Sequence, residues 1–115
     1  MTQKRHILLR LADRRRLVTD PRDIYYLEAD GDDTLVRFRG KERVRDVRPL
    51  SELEKLLKSV PFVRIHRSYL VNPARLQEIR PRDAGRGWEV VLQPPVNRIL
   101  PISEERFEQL LEAYR

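Results

Sequence analysis

The sequence predicts a mainly β domain with two short helices. Most apolar residues fall in short runs that are rich in β-branched and aromatic side chains, which is typical of strands. Turn-forming pairs such as Asp30-Gly31 separate these runs. Only residues 50–57 and 103–114 repeat their apolar positions at helical spacing.

The first strands are predicted on either side of two turns. Residues 7–18 alternate loosely around a turn at residues 12–14 and indicate a hairpin, with a short helix as the alternative. Residues 24–29, Ile-Tyr-Tyr-Leu-Glu-Ala, are typical of a buried strand. A turn at residues 30–33 then joins this strand to residues 34–39, in which Thr34, Val36 and Phe38 share one face.

Six further strands are predicted from the same signals. After a turn at Gly40 and Lys41, residues 42–48 continue as a strand whose apolar members are Val44 and Val47. Residues 62–72 form two strand-like arms around the polar centre His66-Arg67-Ser68. The last strands are predicted at residues 76–79, 88–92 and 99–102, with a tip at residues 83–87 and a turn at residues 94–98 between them.

The two helices are predicted from capping residues as well as spacing. Ser51 stands three residues before Glu54, as in a capping box, and Pro61 follows the end of this first helix. Ser103 is predicted to cap the second helix, whose apolar face is Phe107, Leu110, Leu111 and Tyr114.

Length and composition limit the possible classes of protein. The 115 residues suit one domain spanning residues 1–115, with basic N-terminal strands in residues 1–22. No cysteine is present, so disulfides and thiolate metal sites are excluded. Apolar runs are short, as at Ile7-Leu8-Leu9, and predict neither a membrane segment nor a signal peptide. We therefore expect a cytoplasmic protein that does not bind membranes.

Charge is the most informative quantity in the composition. The chain carries 24 Lys and Arg against 18 Asp and Glu, a net charge of +6. The excess is concentrated in residues 1–22, 37–48 and 64–86, where basic residues outnumber acidic ones by seven to two, six to two and six to two. A merely well-solvated surface is one interpretation. Three separate blocks of one sign favour a surface for a polyanion, and arginine suits phosphates and guanine edges.

Catalytic and cofactor sites are not indicated. His66 and Ser68 would share a face of a strand, but no glycine elbow surrounds Ser68 and no acid is poised to orient His66. Two distant histidines and scattered carboxylates make no metal-ligand set, and no phosphate-binding or dinucleotide motif is present. We therefore predict no enzymatic activity, no cofactor and no small-molecule substrate.

The helices exclude one common mode of DNA recognition. The last helix carries four Glu against two Arg, and the first is neutral, so neither suits the major groove as a recognition helix. An RNA-binding sheet would need exposed aromatic residues, but all aromatic residues together make up only 7% of the chain, and most occupy core-like positions. If the protein reads DNA, strand ends and loops must do so.

Residues 62–72, Phe-Val-Arg-Ile-His-Arg-Ser-Tyr-Leu-Val-Asn, resemble the hallmark segment of the LytTR family of bacterial DNA-binding domains. Three companion segments occur in the family's order, at residues 24–31, 49–54 and 100–103. The resemblance implies an elongated stack of small β-sheets. It also implies double-stranded DNA as the partner, read by loops in successive major grooves of direct-repeat sites, usually with a second copy on the repeat.

The same resemblance implies which residues contact DNA. Arg67 matches the loop residue that touches base edges, and Ser68 and Asn72 match positions near the phosphates. A turn-capping role is an equal alternative for Asn72. Thr34 belongs to the first reading loop, which is acidic here at Asp32 and Asp33.

Four more residues complete the predicted contact set. Many family members carry arginine directly after the position of Ser103. This chain has Glu104 there, and Arg106 is the candidate replacement. His66 is expected to be a structural hydrogen-bonding residue or a phosphate contact, and Arg43 and Arg75 are candidate phosphate contacts.

The function expected from this resemblance is that of a transcriptional regulator or its output domain. The alternative is a LytTR-like interaction module that restrains another regulator, and a non-specific RNA-binding domain is a third possibility. Family members usually follow a receiver domain or a membrane segment, and the sequence leaves open whether this chain is free-standing or part of a longer regulator.

Overall fold

A computed structural model describes residues 6–40, 42–83 and 85–115 of the chain. The strands are β1 (Ile7–Arg10), β2 (Arg16–Thr19), β3 (Ile24–Asp30), β4 (Asp33–Phe38), β5 (Arg43–Asp46), β6 (Val63–His66), β7 (Tyr69–Val71), β8 (Leu76–Pro81), β9 (Trp88–Leu92) and β10 (Ile99–Ile102). The helices are α1 (Leu50–Leu56) and α2 (Phe107–Glu112), and short 3-10 turns lie at Pro21–Asp23, Pro73–Arg75 and Glu104–Arg106. The mainly β class predicted from the sequence is confirmed.

The strands form three antiparallel sheets stacked in an elongated molecule of 44 × 34 × 26 Å. The central sheet has the order β5-β4-β3-β7-β6. The hairpin sheet, β1-β2, and the outer sheet, β10-β9-β8, contribute to two different cores that share strand β3 of the central sheet. None of the helices in the described ranges is long and apolar enough to cross a membrane.

Residues 24–27 of β3 are buried on both faces of the sheet, which explains their unbroken apolar sequence. Ile24 and Leu27 pack with Leu9 of β1 and with the apolar face of α1, while Tyr25 and Tyr26 pack towards the outer sheet and α2. A shift in the β3–β4 register between Ile24 and Tyr26 places the two consecutive tyrosines in one cluster. The central sheet is therefore the shared wall of two cores.

Tight turns fix the ends of these strands. The β3–β4 hairpin closes through Gly31 and Asp32, and the positive φ of Gly31 (61°) is the conformation that the first residue of a type II′ turn requires. The β6–β7 hairpin closes through Arg67 and Ser68. Parts of three predictions, the N-terminal basic residues Lys4 and Arg5, the turn residue Lys41 and the tip residue Ala84, lie outside the described residues.

Both predicted helices exist, but their predicted caps are wrong. Pro49 occupies the N-cap position of α1, so Ser51 lies inside the helix and no side chain caps it. Ser103 precedes a 3-10 turn, and its hydroxyl donates a hydrogen bond to the Ile65 carbonyl instead of capping. A tertiary contact with β6 therefore takes the hydroxyl that the sequence pattern assigns to the helix.

The prediction that Val44 and Val47 are the apolar members of the fifth strand is also wrong in part. Strand β5 ends at Asp46, Val47 is exposed, and the buried residue is Asp46. Its carboxylate accepts hydrogen bonds from the backbone N–H groups of Arg10 (2.8 Å) and Arg48 (2.9 Å). It also accepts from Nε (2.9 Å) and Nη2 (2.8 Å) of Arg48, whose Nη2 donates to the Leu8 carbonyl as well. This network attaches the hairpin sheet to the central sheet.

We expect Asp46→Asn to lower the free energy of unfolding by about 3 kcal/mol, because Arg48 would keep its largely buried charge without a neutralising partner. Urea denaturation followed by circular dichroism measures the loss. The double variant Asp46→Asn/Arg48→Met removes both charges and should regain part of the stability. If the effects of Asp46→Asn and Arg48→Met on the free energy of unfolding simply add, the loss of the ion pair is not the cause of the destabilisation.

The same carboxylate predicts a pH dependence. Burial alone would raise the pKa of Asp46, but hydrogen bonds from Arg48 and from the Arg10 backbone outweigh it and hold the pKa below its ordinary value of 3.8. A depressed pKa stabilises the folded state above the unfolded-state pKa, and this contribution is lost as the pH falls through the folded-state pKa. The stability difference between the wild type and Asp46→Asn should therefore be full near neutral pH and shrink in acid. A difference that grows in acid would contradict this assignment.

Candidate nucleic-acid interface

The turn between β6 and β7 presents one arginine to solvent. Arg67 is exposed, and within the described ranges its guanidinium makes neither a hydrogen bond nor an ion pair. Strand pairing of His66 with Tyr69 closes the turn directly behind it. Arg67 therefore projects from a hairpin of defined geometry with its donors available to a ligand.

The neighbouring Arg64 has the opposite role, because its side chain is used to hold this turn. Its Nε donates to the His66 carbonyl at 2.8 Å, and its Nη2 donates to the Arg67 carbonyl. Nη1 lies 2.5 Å from Glu54 Oε1 on α1, and only 14% of the Arg64 side chain is exposed. The guanidinium thus binds two turn carbonyls and ties them to the helix. In the sequence, Arg64 is marked only as a member of the basic block at residues 64–86.

His66 and Ser68 complete the support of the turn. The Ser68 backbone N–H donates to His66 Nδ1 at 3.1 Å, and the His66 ring lies 5.5 Å from the Tyr69 ring in a tilted arrangement. The Ser68 carbonyl accepts from the Ala29 N–H on β3 at 2.8 Å. Of the two roles expected for His66, this geometry gives it the structural one. The Ser68 side chain is half-buried at the turn beside Arg67.

The β3–β4 tip lies at the same end of the central sheet, because β3 runs antiparallel to β7 and Glu28 pairs with Tyr69. Its acidic residues are partly neutralised. Arg45 Nη2 lies 2.6 Å from Asp30 Oδ2 and its Nη1 lies 3.2 Å from Asp33 Oδ2. Hydrogen bonds to these two carboxylates raise the pKa of Arg45, which stays charged.

The side chain of Thr34 cannot belong to a reading loop, and that prediction is wrong. Thr34 is fully buried, and its hydroxyl donates to the Arg48 carbonyl at 2.8 Å. Strand alternation explains this position, since Thr34 shares the inward face with Val36.

The predicted DNA contact by Asn72 is also wrong, and the alternative capping role is confirmed. Asn72 is buried, its amide donates to the Ile24 carbonyl at 3.0 Å, and its Oδ1 accepts from the Ala74 N–H at 3.0 Å. It caps the 3-10 turn that follows β7. This turn lies at the end of β7 opposite Arg67.

Arg75 and Arg43 are not brought to the Arg67 turn. Arg75 follows the far end of β7, donates twice to the Arg22 carbonyl (2.7 and 3.1 Å) and lies over the Tyr25 ring. The length of β3, about 20 Å, separates that end from the turn. Arg43 lies partway along the central sheet, where its Nη1 is 3.6 Å from Glu28 Oε1.

The C-terminal segment approaches the Arg67 turn from the outer sheet. The Ser103 N–H donates to the Ile65 carbonyl at 2.8 Å, next to the 3-10 turn that contains Glu104 and Arg106. Arg106 is half-buried, and its guanidinium has no ion-pair or hydrogen-bond partner in the parts of the chain described above. Arg106 is therefore placed on the same end as Arg67.

Antiparallel pairing brings one more element to this end. Trp88 begins β9 opposite both Ile102 and Pro81, so the tip, described at residues 82–83 and 85–87, projects from the end of the outer sheet where Ser103 lies. Arg82 and Arg86 on this tip are exposed. We use the name loop end for the surface formed by the turn at Arg67, the β3–β4 tip, residues 103–106 and the described tip residues 82–83 and 85–87.

No group of three or more His, Cys, Asp or Glu residues in the described ranges is arranged to hold a metal ion. The charged groups of the loop end are four arginines and six acidic residues, and Arg45 neutralises part of the acidic charge by pairing with Asp30 and Asp33. The arginines are Arg67, Arg82, Arg86 and Arg106, and the acidic residues are Asp30, Asp32, Asp33, Asp83, Glu104 and Glu105. Arginine donors on exposed turns suit planar or phosphate acceptors rather than a cation.

Comparisons with known proteins agree with this geometry. A family model described as the LytTr DNA-binding domain matches residues 14–115. The sensory transduction protein LytT of Oceanobacillus iheyensis is 32% identical over 101 residues, which are 88% of this chain but only 41% of that relative. The solved LytTr DNA-binding domain of a methyl-accepting/DNA response regulator from Bacillus cereus superposes with a TM-score of 0.74 at 23% identity, covering 97% of this chain and 98% of that one. This last likeness establishes the fold.

The support of the turn can be tested without any ligand. We expect Arg64→Met to lower the free energy of unfolding by about 2 kcal/mol, since it removes charge-assisted hydrogen bonds to two carbonyls. It should also speed amide hydrogen exchange at Ala29, whose N–H is held by the turn. The matched control Arg67→Met should change stability by less than about 0.5 kcal/mol. Equal effects of the two variants would show that Arg64 does not hold the turn.

Proposed function

The chain belongs to the LytTR family of DNA-binding domains, and from this premise we propose that it binds double-stranded DNA sequence-specifically as a transcriptional regulator or its output domain. The observation that carries the proposal is the exposed guanidinium of Arg67, which has no partner among the described residues and lies on a turn that Arg64 holds through hydrogen bonds. We further propose direct-repeat sites, each occupied by two copies. The activity requires the cytoplasmic compartment that holds bacterial DNA.

Arg67 is the proposed base-reading residue. A guanidinium that enters the major groove can donate in parallel to O6 and N7 of guanine, which is worth about 1–3 kcal/mol of discrimination. A fixed turn favours such a two-pronged contact, because only the side chain must be ordered on binding. Ser68, beside it, is a proposed phosphate contact, and Arg106 is proposed to contact DNA from the outer sheet.

The acidic β3–β4 tip is compatible with this proposal. Arg45 pairs with both Asp30 and Asp33, so the tip carries less negative charge than its sequence suggests. Asp32 at the turn is exposed and can accept a hydrogen bond from cytosine N4.

Selection from a pool of random duplexes tests the proposal. The wild type should enrich direct repeats, and the logarithm of its binding constant should fall with the logarithm of salt concentration by roughly 0.9 for each phosphate contacted. Arg67→Ala should relax the preference at particular base pairs and cost about 1–3 kcal/mol on the selected site. The control Arg75→Ala, at the opposite end, should leave the selected sequence unchanged.

Two outcomes would contradict the proposal. If no motif is enriched and the protein instead copurifies with another regulator, the chain is an interaction module. If Arg67→Ala selects the same bases with the same preference as the wild type, base reading lies elsewhere on the surface.

A further inference from the structure

We infer that the tip of the β8–β9 hairpin is an additional DNA-contacting element, in which Arg82 and Arg86 bind backbone phosphates beside the groove that Arg67 enters. The inference depends on the proposed function and extends it to a segment that no sequence motif identified. It assigns phosphate binding, which is independent of sequence, to the outer sheet and base reading to the central sheet.

The first support is the position of the tip on the loop end. Ser103 joins the outer sheet to the Arg67 turn through its N–H and hydroxyl, which both donate to the Ile65 carbonyl. Packed sheets lie about 10 Å apart, and neighbouring strands lie about 4.8 Å apart. Two strand steps at right angles to the sheet separation therefore place the tip on the order of 15 Å from Arg67. The major groove is about 12 Å wide, so this offset suits the phosphates along its edge.

The second support is the state of the two arginines. Both are exposed, and among the described residues neither has an ion-pair or side-chain hydrogen-bond partner. By contrast, Arg80 on the same hairpin lies 2.8 Å from Glu89 and 3.3 Å from Glu78. Arg80, within the strand, is therefore neutralised by glutamates, whereas Arg82 and Arg86 on the tip are available to phosphates.

The third support is the cleft that the tip forms with the C-terminal segment. Its lining includes Arg82, Arg86 and Trp88 from the tip and β9, and Glu104 and Phe107 from the C-terminal segment. The Trp88 ring stacks on Phe107 with centroids 4.6 Å apart and remains 38% exposed. The Arg82 N–H donates to the Gly87 carbonyl at 3.0 Å, and the φ of 104° at Gly87 favours glycine there. These contacts fix the base of the tip next to an aromatic wall.

Trp88 provides the readout, because it is the only tryptophan in the chain. A duplex bound across the tip should shield its ring. We therefore expect a saturating random-sequence duplex to protect Trp88 from quenching by acrylamide in the wild type. A random-sequence duplex is the appropriate probe, since phosphate contacts do not require a specific site.

The variant Arg82→Ala/Arg86→Ala should lower the salt slope by close to 2, about 0.9 for each lost phosphate contact. Its affinity for random-sequence duplexes should fall at least about tenfold, and DNA should no longer protect Trp88. The matched control Arg22→Ala/Arg39→Ala also removes two exposed positive charges, but at the end of β3 and β4 opposite the loop end. It should keep the wild-type slope within about 0.5 and retain the protection.

The outcomes separate this inference from the proposed function. If the tip variant behaves like the control and DNA leaves Trp88 equally quenchable, the tip does not bind DNA, even if Arg67→Ala loses its base preference. If the wild type binds no duplex at all, both the inference and the proposed function are wrong. Thermal unfolding of the tip variant should match the wild type, since Arg82 and Arg86 are exposed. The control also loses the surface pair of Arg22 with Asp20 (2.7 Å), which should cost at most about 1 kcal/mol.

Discussion

The guanidinium of Arg64 is the interaction on which the loop end depends. It joins helix α1, strand β6 and the turn that carries Arg67, because one planar group donates to Glu54 and to two turn carbonyls. A lysine could not replace it, since a single ammonium cannot span three acceptors in a fixed plane. The turn is thus fixed relative to both cores, and the exposed side chain of Arg67 extends from a backbone whose position is defined.

Net charge alone does not locate the interface in this chain. Arg48, Arg64 and Arg75 are bound to carboxylates or carbonyls, and their positive charge serves the fold. Arg67, Arg82 and Arg86 come from the same basic block as two of these, yet they lie on the loop end without a protein partner among the described residues. Solvent exposure and the absence of an acceptor distinguish the two groups, and neither can be read from residue type.

The strands were predictable from sequence because their signals are local. Side-chain alternation, the Asp30-Gly31 pair and the β-branched runs depend on residues that are close along the chain, and they correctly indicated β3, β4 and the β6–β7 hairpin. The errors concern side chains whose partners are distant in sequence. Asn72 bonds to the Ile24 carbonyl, Ser103 to the Ile65 carbonyl, and Thr34 to the Arg48 carbonyl.

The same distinction explains how much of the candidate site could be predicted. Arg67 was identified because it occupies the centre of a recognisable segment, whereas Arg82 and Arg86 required the pairing of β8 with β9 and of β9 with β10. An arginine loses up to about 2 kcal/mol of side-chain entropy when a ligand orders it. A turn fixed by Arg64 limits that cost to the side chain itself, while an unsupported loop would add about 1–2 kcal/mol for each backbone residue ordered. Arg64 therefore favours selective contact at Arg67, because it reduces the conformational entropy that is lost when the turn binds a ligand.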